Sequence, residues 1–159
     1  MVRVILTRGL PASGKTTWAS RVLAESPGAY KRVNKDELRL MLDGGKWSPA
    51  NERFVEAVRD QIILAAVGAG TNVIVDDTNL DPRHEAHIRR LVEGKAEVVV
   101  EDFDVPLDEC IRRDAERPAP VGERVIRQMY RDFLAPPVAP PVAPPPAPPA
   151  QAGPPVAGP

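Results

Sequence analysis

Gly9-Leu10-Pro11-Ala12-Ser13-Gly14-Lys15-Thr16 sets the architecture of this chain. It follows Val2-Arg3-Val4-Ile5-Leu6-Thr7, a short apolar run rich in β-branched residues that reads as a buried strand. It precedes Thr17 to Ala24, which reads as a helix. Strand, glycine-rich turn and helix are the context in which GxxxxGK[ST] marks a phosphate-binding loop. Gly9 and Gly14 leave room for backbone wrapped around phosphate oxygens and tolerate positive φ. The turn's amides and the positive end of the helix dipole then face an anion. In such a loop Lys15 reaches the β- and γ-phosphates of a nucleotide, and the Thr16 hydroxyl ligates Mg²⁺. A glycine-rich turn that binds nothing would not need both flanks to be right.

Working outward, strands and helices alternate. Ala29 to Asn34 reads as a second strand, and Lys35 to Leu42 as a short helix ended by Asp43-Gly44-Gly45. Ser48-Pro49 opens a longer amphipathic helix that runs to about Val67. Asn72 to Asp77 is a buried strand ending in two carboxylates. Pro82 to about Val92 is a helix, Ala96 to Phe103 a strand, Leu107 to about Arg117 an arginine-rich helix, and Val121 to Phe133 the last helix. This alternation predicts an α/β unit with a parallel sheet, whose ligands bind beyond the carboxyl ends of the strands.

Composition bounds the rest. The 159 residues suffice for one domain with a real core. A net charge of −1 argues neither for nor against nucleic acid, which would have to meet a local basic patch. Cys110, the single cysteine, cannot form an internal disulfide and reads as a small buried hydrophobe. No leader-like segment opens the sequence, and no apolar run approaches the ~20 residues of a membrane helix. The expectation is a soluble, cytoplasmic protein with no membrane partner. From Ala135 to Pro159 the sequence is almost entirely Pro, Ala, Val and Gly. That composition predicts an extended tail, either a passive spacer or a ligand for an aromatic-grooved partner. The expected folded unit is therefore 1–134. Helix faces alone do not reveal the oligomeric state.

Polar chemistry concentrates after the strands. Asp36 and Arg39, one helical turn apart, could accept an acceptor hydroxyl's proton and hold its anionic part; alternatively Asp36 caps a helix and Arg39 is solvated. Asp76 and Asp77 close an apolar strand in the manner of a Walker B carboxylate, with Thr78 and Asn79 adjacent. An Asx turn at the strand end is the plainer alternative. Arg113 and Arg117 stand at i, i+4 beside Arg112, just before Pro118-Ala119-Pro120, as movable lid cations or as a solvated charged face. His84 and His87 lack the company of metal ligands and read as surface residues. Trp47 could stack on a base or cover the edge of the core.

Together these segments resemble the 5′-kinase domain of the bacteriophage-type polynucleotide kinase family. The likeness lies in Ile5 to Ala19 with Trp18-Ala19 after the loop, Asn34-Lys35-Asp36-Glu37-Leu38-Arg39, Asp77-Thr78-Asn79-Leu80, Phe103-Asp104-Val105-Pro106 with Arg113 and Arg117, and Ile126 to Tyr130. It covers residues 3–134. The resemblance implies a three-layer P-loop kinase, a small parallel sheet flanked by helices with a helical lid. It implies transfer of the γ-phosphate of ATP, with Mg²⁺, to the 5′-hydroxyl end of DNA or RNA. By the same resemblance Gly9, Ser13, Gly14, Lys15, Thr16 and Thr17 bind the nucleotide and Thr16 the metal. Asp36 is the general base, Arg39 grips the acceptor's 3′-phosphate, Asp77 supports that pair, and Thr78 and Asn79 complete the substrate site. Arg113 and Arg117 contact the donor phosphates. A kinase of a small molecule or nucleotide-sugar would use the same parts with another acceptor pocket. A non-catalytic nucleotide-sensing module would use the loop alone.

Overall fold

Four apolar runs form strands: β1 (Arg3–Arg8), β2 (Tyr30–Val33), β3 (Asn72–Val75) and β4 (Glu97–Asp102). All pair in parallel, in the order β2-β3-β1-β4. Val4 lies opposite Val73, and Leu6 lies between Val75 and Val100. The central strands are apolar on both faces because helices cover both. In the computed structural model, which describes residues 1–136, those helices are α1 (Lys15–Glu25), α2 (Lys35–Asp43), α3 (Pro49–Gly68), α4 (Pro82–Leu91), α5 (Leu107–Ala115) and α6 (Glu123–Phe133).

Two clusters carry the packing. Val4, Leu6, Val73 and Val75 of the sheet meet Val55 and Ile63 of α3, together with Ile88 and Val92. Leu10 of the loop, Leu80, Cys110 of α5 and Ile126 of α6 form the second. Each such fully buried aliphatic side chain contributes about 1.5–3 kcal/mol. Cys110 is a packed hydrophobe, as its sequence context suggests, and burial pushes its thiol pKa up.

Local signals position the ends of the helices. The Asn34 side chain accepts from Glu37 N to start α2, and Gly44, at φ 60°, ends it. Ser48 accepts from Asn51 N, with Pro49 opening α3. Asp81 accepts from Arg83 N ahead of Pro82 at the start of α4. Each cap satisfies an amide that the helix itself leaves unpaired.

Among the boundaries that differ from the sequence reading, three helix ends bear on the site. Helix α1 begins at Lys15 rather than Thr17, so its dipole starts on the loop itself. Helix α5 ends at Ala115, which leaves Arg117 in the following turn, its N–H bonded to Asp114 O. Arg113 and Arg117 therefore do not share one helix face. Helix α6 starts at Glu123, after Gly122 at φ 99°. Among the described residues no helix is long and apolar enough to cross a membrane. From residue 137 on, the expected proline-rich tail lies outside the described residues.

Candidate active site

The loop after β1 is shaped by close contacts. A Cβ at Gly9 would lie 2.8 Å from Phe103 O and 2.8 Å from Ser13 Oγ, so only glycine lets the loop sit against the end of β4. Trp18 of α1 meets Phe103 edge to face, with ring centroids 5.9 Å apart, and fixes the helix over the same point. Gly14 turns the chain at φ 98° and Ala12 at φ 61°. Gly14 is the N-cap of α1 and offers no side-chain cap. The first amides of α1 thus remain available to an anion. Lys15 is buried. Its ammonium donates to Gly9 O at 2.9 Å, Leu10 O at 2.6 Å and Ser13 Oγ at 3.3 Å. Burial lowers its pKa to about 8.

Beyond β3 the chain presents its carboxylates. Asp76 is 1% exposed, and its Oδ2 accepts from Arg32 Nε at 2.7 Å. Its Oδ1 is buried without a hydrogen-bond partner among the described residues. Asp77 Oδ1 accepts from Lys35 N at 2.9 Å, at the start of α2, and its Oδ2 is likewise unpartnered. Burial pushes the Asp77 pKa up to about 6, against the pull of that amide bond and of the Lys35 charge. Asn34 donates to Asp76 O and so ties the end of β2 to the end of β3.

On the opposite wall, Arg39 of α2 donates through Nη1 to Asp36 Oδ1 at 2.6 Å. Its Nε and Nη2 donate to Glu52 Oε2 of α3 at 3.0 and 2.7 Å. Lys35 Nζ donates to Glu52 Oε1 at 3.1 Å and to Glu56 Oε1 at 3.5 Å. The Asp36 side chain is 83% exposed, whereas Arg39 is 16% exposed and held.

The third wall comes from α5 and α6. Arg113 pairs with Glu109 at 2.7 Å, and Arg117 with Asp114 at 3.3 Å. Buried Asp114 also accepts from the amides of Val121 and Gly122, which clips the turn back onto α5. Arg112 is engaged by Glu109 and Glu116.

These walls enclose one cleft of about 620 Å³. Of the residues singled out in the sequence, Gly14, Lys15, Thr16, Thr17, Asp36, Arg39, Asp77, Thr78, Arg113 and Arg117 line it. Gly9, Ser13 and Asn79 do not. Gly9 and Ser13 shape the loop from behind. Asn79 is buried, and its amide donates to Thr7 O, Val75 O and Asp77 O, which knits β1 to β3. Its amide is thus spent on the scaffold and does not open into the cleft.

His84 and His87 lie outside the cleft; His87 Nε2 is 2.6 Å from Asp60 Oδ2. Trp47 is exposed and does not cover the core. Glu52 escaped the sequence reading, because its partners Lys35 and Arg39 lie on another helix and meet it only once the chain is folded. Among the described residues no group of three His, Cys, Asp or Glu could hold a metal ion by itself. The unpartnered Asp76 and Asp77 oxygens and the Thr16 hydroxyl are hard oxygen donors. They fit Mg²⁺ that takes most of its ligands from phosphates and water.

The sequence profile of the AAA domain family matches residues 4–136. An L-seryl-tRNA(Sec) kinase from Methanococcus maripaludis is 28% identical over 137 residues, which is 84% of this chain and 53% of that protein. Among solved structures, the Pnkp1/Rnl/Hen1 RNA repair complex is similar at 27% identity and a TM-score of 0.72, over 82% of this chain and 43% of that one. The Mycobacterium tuberculosis APS kinase CysC, in complex with AMPPNP and APS, is 25% identical with a TM-score of 0.59, over 72% and 69%. The chain thus spans about half the length, or less, of the first two proteins.

Proposed function

We propose that this chain, which belongs to the AAA domain family, is a P-loop kinase that transfers the γ-phosphate of ATP to the 5′-hydroxyl end of a polynucleotide. The observation that carries this reading is the shared cleft. Lys15 and Thr16 of the loop, Asp36 and Arg39 of α2, and Arg113 and Arg117 all open into it. A donor triphosphate fits the loop amides and Lys15, and an acceptor hydroxyl fits the Asp36 side. Its likeness to a chain of an RNA repair complex supports a nucleic-acid acceptor.

The chemistry assigned to the residues is simple. The acceptor oxygen bonds to the γ-phosphorus in line as the bond to the β-phosphate oxygen breaks, and ADP leaves. Asp36 takes the hydroxyl proton. Arg113 and Arg117 neutralise charge that grows on the transferring group, on leaving Glu109 and Asp114. Thr16 and Asp76 would hold Mg²⁺, which supplies further neutralisation of the donor phosphates when bound.

A second reading, a kinase of a small hydroxyl compound, is favoured by one observation. On the acceptor side the carboxylates Asp36, Glu52 and Glu56 outnumber the cations Lys35 and Arg39, so that wall is not a basic patch for a polyanion. One assay decides between the readings. The protein is incubated with labelled ATP, Mg²⁺ and a 5′-hydroxyl oligonucleotide, with nucleoside and sugar acceptors in parallel. Label on the oligonucleotide is expected. Label only on small acceptors would select the second reading, and ATP binding without transfer would point to a sensing module.

A further inference from the structure

Glu52 sits on α3, in a segment with none of the motifs on which the polynucleotide kinase resemblance rests. Yet its carboxylate joins both cations on the acceptor side of the cleft. Oε2 receives the Nε and Nη2 edge of Arg39, and Oε1 receives Lys35 Nζ. All three side chains are mostly buried, with exposures of 19%, 16% and 12% for Glu52, Arg39 and Lys35. A guanidinium has two donor edges, and a carboxylate on one of them fixes the plane and aim of the other. Here the second edge, through Nη1, points to Asp36.

Arg39 thus lies between a buried carboxylate that holds it and an exposed one that shares its free edge. Burial works to raise the Glu52 pKa, but the hydrogen bonds from Arg39 and Lys35 more than offset this, so the group stays ionised. An exposed pair such as Asp36 with Nη1 is easily exchanged, whereas a desolvated bond such as that of Glu52 is not.

We infer that Glu52 is a positioning residue for acceptor specificity: it clamps Arg39 so that the free guanidinium edge meets a phosphate on the acceptor, which takes the place of the Asp36 carboxylate there. This deepens the polynucleotide reading above and rests on it. Arrival of the acceptor phosphate then frees Asp36 to face the incoming hydroxyl, which couples recognition of the right acceptor to availability of the base. Glu52 itself touches neither substrate.

The test compares thymidine 3′-monophosphate with thymidine as acceptors for wild type, Glu52→Gln and Glu52→Asp, with melting temperature and the KM for ATP measured alongside. Wild type should favour the phosphate-bearing acceptor in kcat/KM. In Glu52→Gln that preference should fall about tenfold, since a displaced Arg39 forfeits much of its orientation. The loss should appear in the KM for the phosphate-bearing acceptor, with the KM for ATP within about twofold of wild type. Glu52→Asp keeps the charge on a shorter reach and should fall between the two, which keeps the inference testable if the glutamine variant folds poorly. A purely structural role would depress both acceptors alike, together with the melting temperature, and would overturn the inference. So would an unchanged or increased preference, the latter meaning that Glu52 merely shields Arg39. A wild type that transfers phosphate but shows no preference overturns the inference alone. A wild type that transfers to neither acceptor nor to an oligonucleotide overturns the polynucleotide reading and the inference with it.

Discussion

Arg32, on the edge strand β2, donates from Nε to Asp76 Oδ2 at 2.7 Å, and so holds the carboxylate at the end of β3 with its other oxygen, Oδ1, unpartnered. The same guanidinium grips Glu37 of α2 through its two terminal nitrogens at 3.0 and 2.8 Å. One side chain thereby fixes the donor-side carboxylate relative to the helix that carries Asp36. Asp76 is buried, so its charge relies on this partner.

Arg32→Met should therefore destabilise the fold by about 3 kcal/mol, the typical effect of leaving a buried carboxylate without its cation. Asp76→Asn in the same background should recover much of that loss. Urea denaturation of the single and double variants measures it. Additive effects of the two substitutions would show that the pair is not coupled.

Asp77 predicts a pH dependence of known sign. Its folded pKa is raised to about 6 from an ordinary 3.8. Between those values the native state binds more protons than the unfolded state, so stability falls as pH rises from about 4 to 6. The deficit is complete above 6 and absent below 4. Asp77→Asn, which mimics the neutral form and still accepts from Lys35 N, should be more stable than wild type by about 1–3 kcal/mol at pH 7.5. The two should converge near pH 4. Melting curves of both proteins across that range check the slope, and a gap that is constant with pH would contradict it.

Gly9→Ala and Gly14→Ala should fail for different reasons. At position 9 the obstacle is space: the new methyl would meet the Phe103 carbonyl at 2.8 Å. A shift of the whole loop is required, with a stability loss of about 1–3 kcal/mol and weakened ATP binding. At position 14 there is open space around the new methyl but φ is 98°, so the loss is conformational, about 1–2 kcal/mol. Calorimetry of ATP binding alongside thermal melting separates the two. An alanine at position 9 that left both unchanged would refute the close approach.

Much of this was legible in the sequence, and the reasons can be stated residue by residue. The buried strand before Gly9 and the Ser48-Pro49 start of α3 are local signals, and they form as read; the cap of α2 is Asn34, which reads as the end of the second strand, and not Asp36. The two carboxylates after Val75 were visible as a pair. Their division of labour was not, since Asp76 depends on Arg32 and Asp77 on the Lys35 amide, each more than 40 positions away. Asn79 is placed in the substrate site by the family resemblance. Its donors in fact face backbone carbonyls, Thr7 O among them, that only sheet pairing brings near. The helix holding Arg113 reads as running to about Arg117 because nothing in the sequence marks a stop at Ala115. Buried Asp114 provides it by accepting from the amides of Val121 and Gly122.

The central claim is that the Asp36 carboxylate serves as the base for phosphoryl transfer to a 5′-hydroxyl. A single-turnover measurement of transfer from ATP to a 5′-hydroxyl oligonucleotide, with wild type and Asp36→Asn at saturating nucleotide, tests it most directly. The account predicts rapid labelling by wild type and a rate lower by about 10²–10⁴-fold in the variant, with ATP affinity unchanged. Equal rates in the two proteins, or no labelled oligonucleotide with wild type, would contradict it.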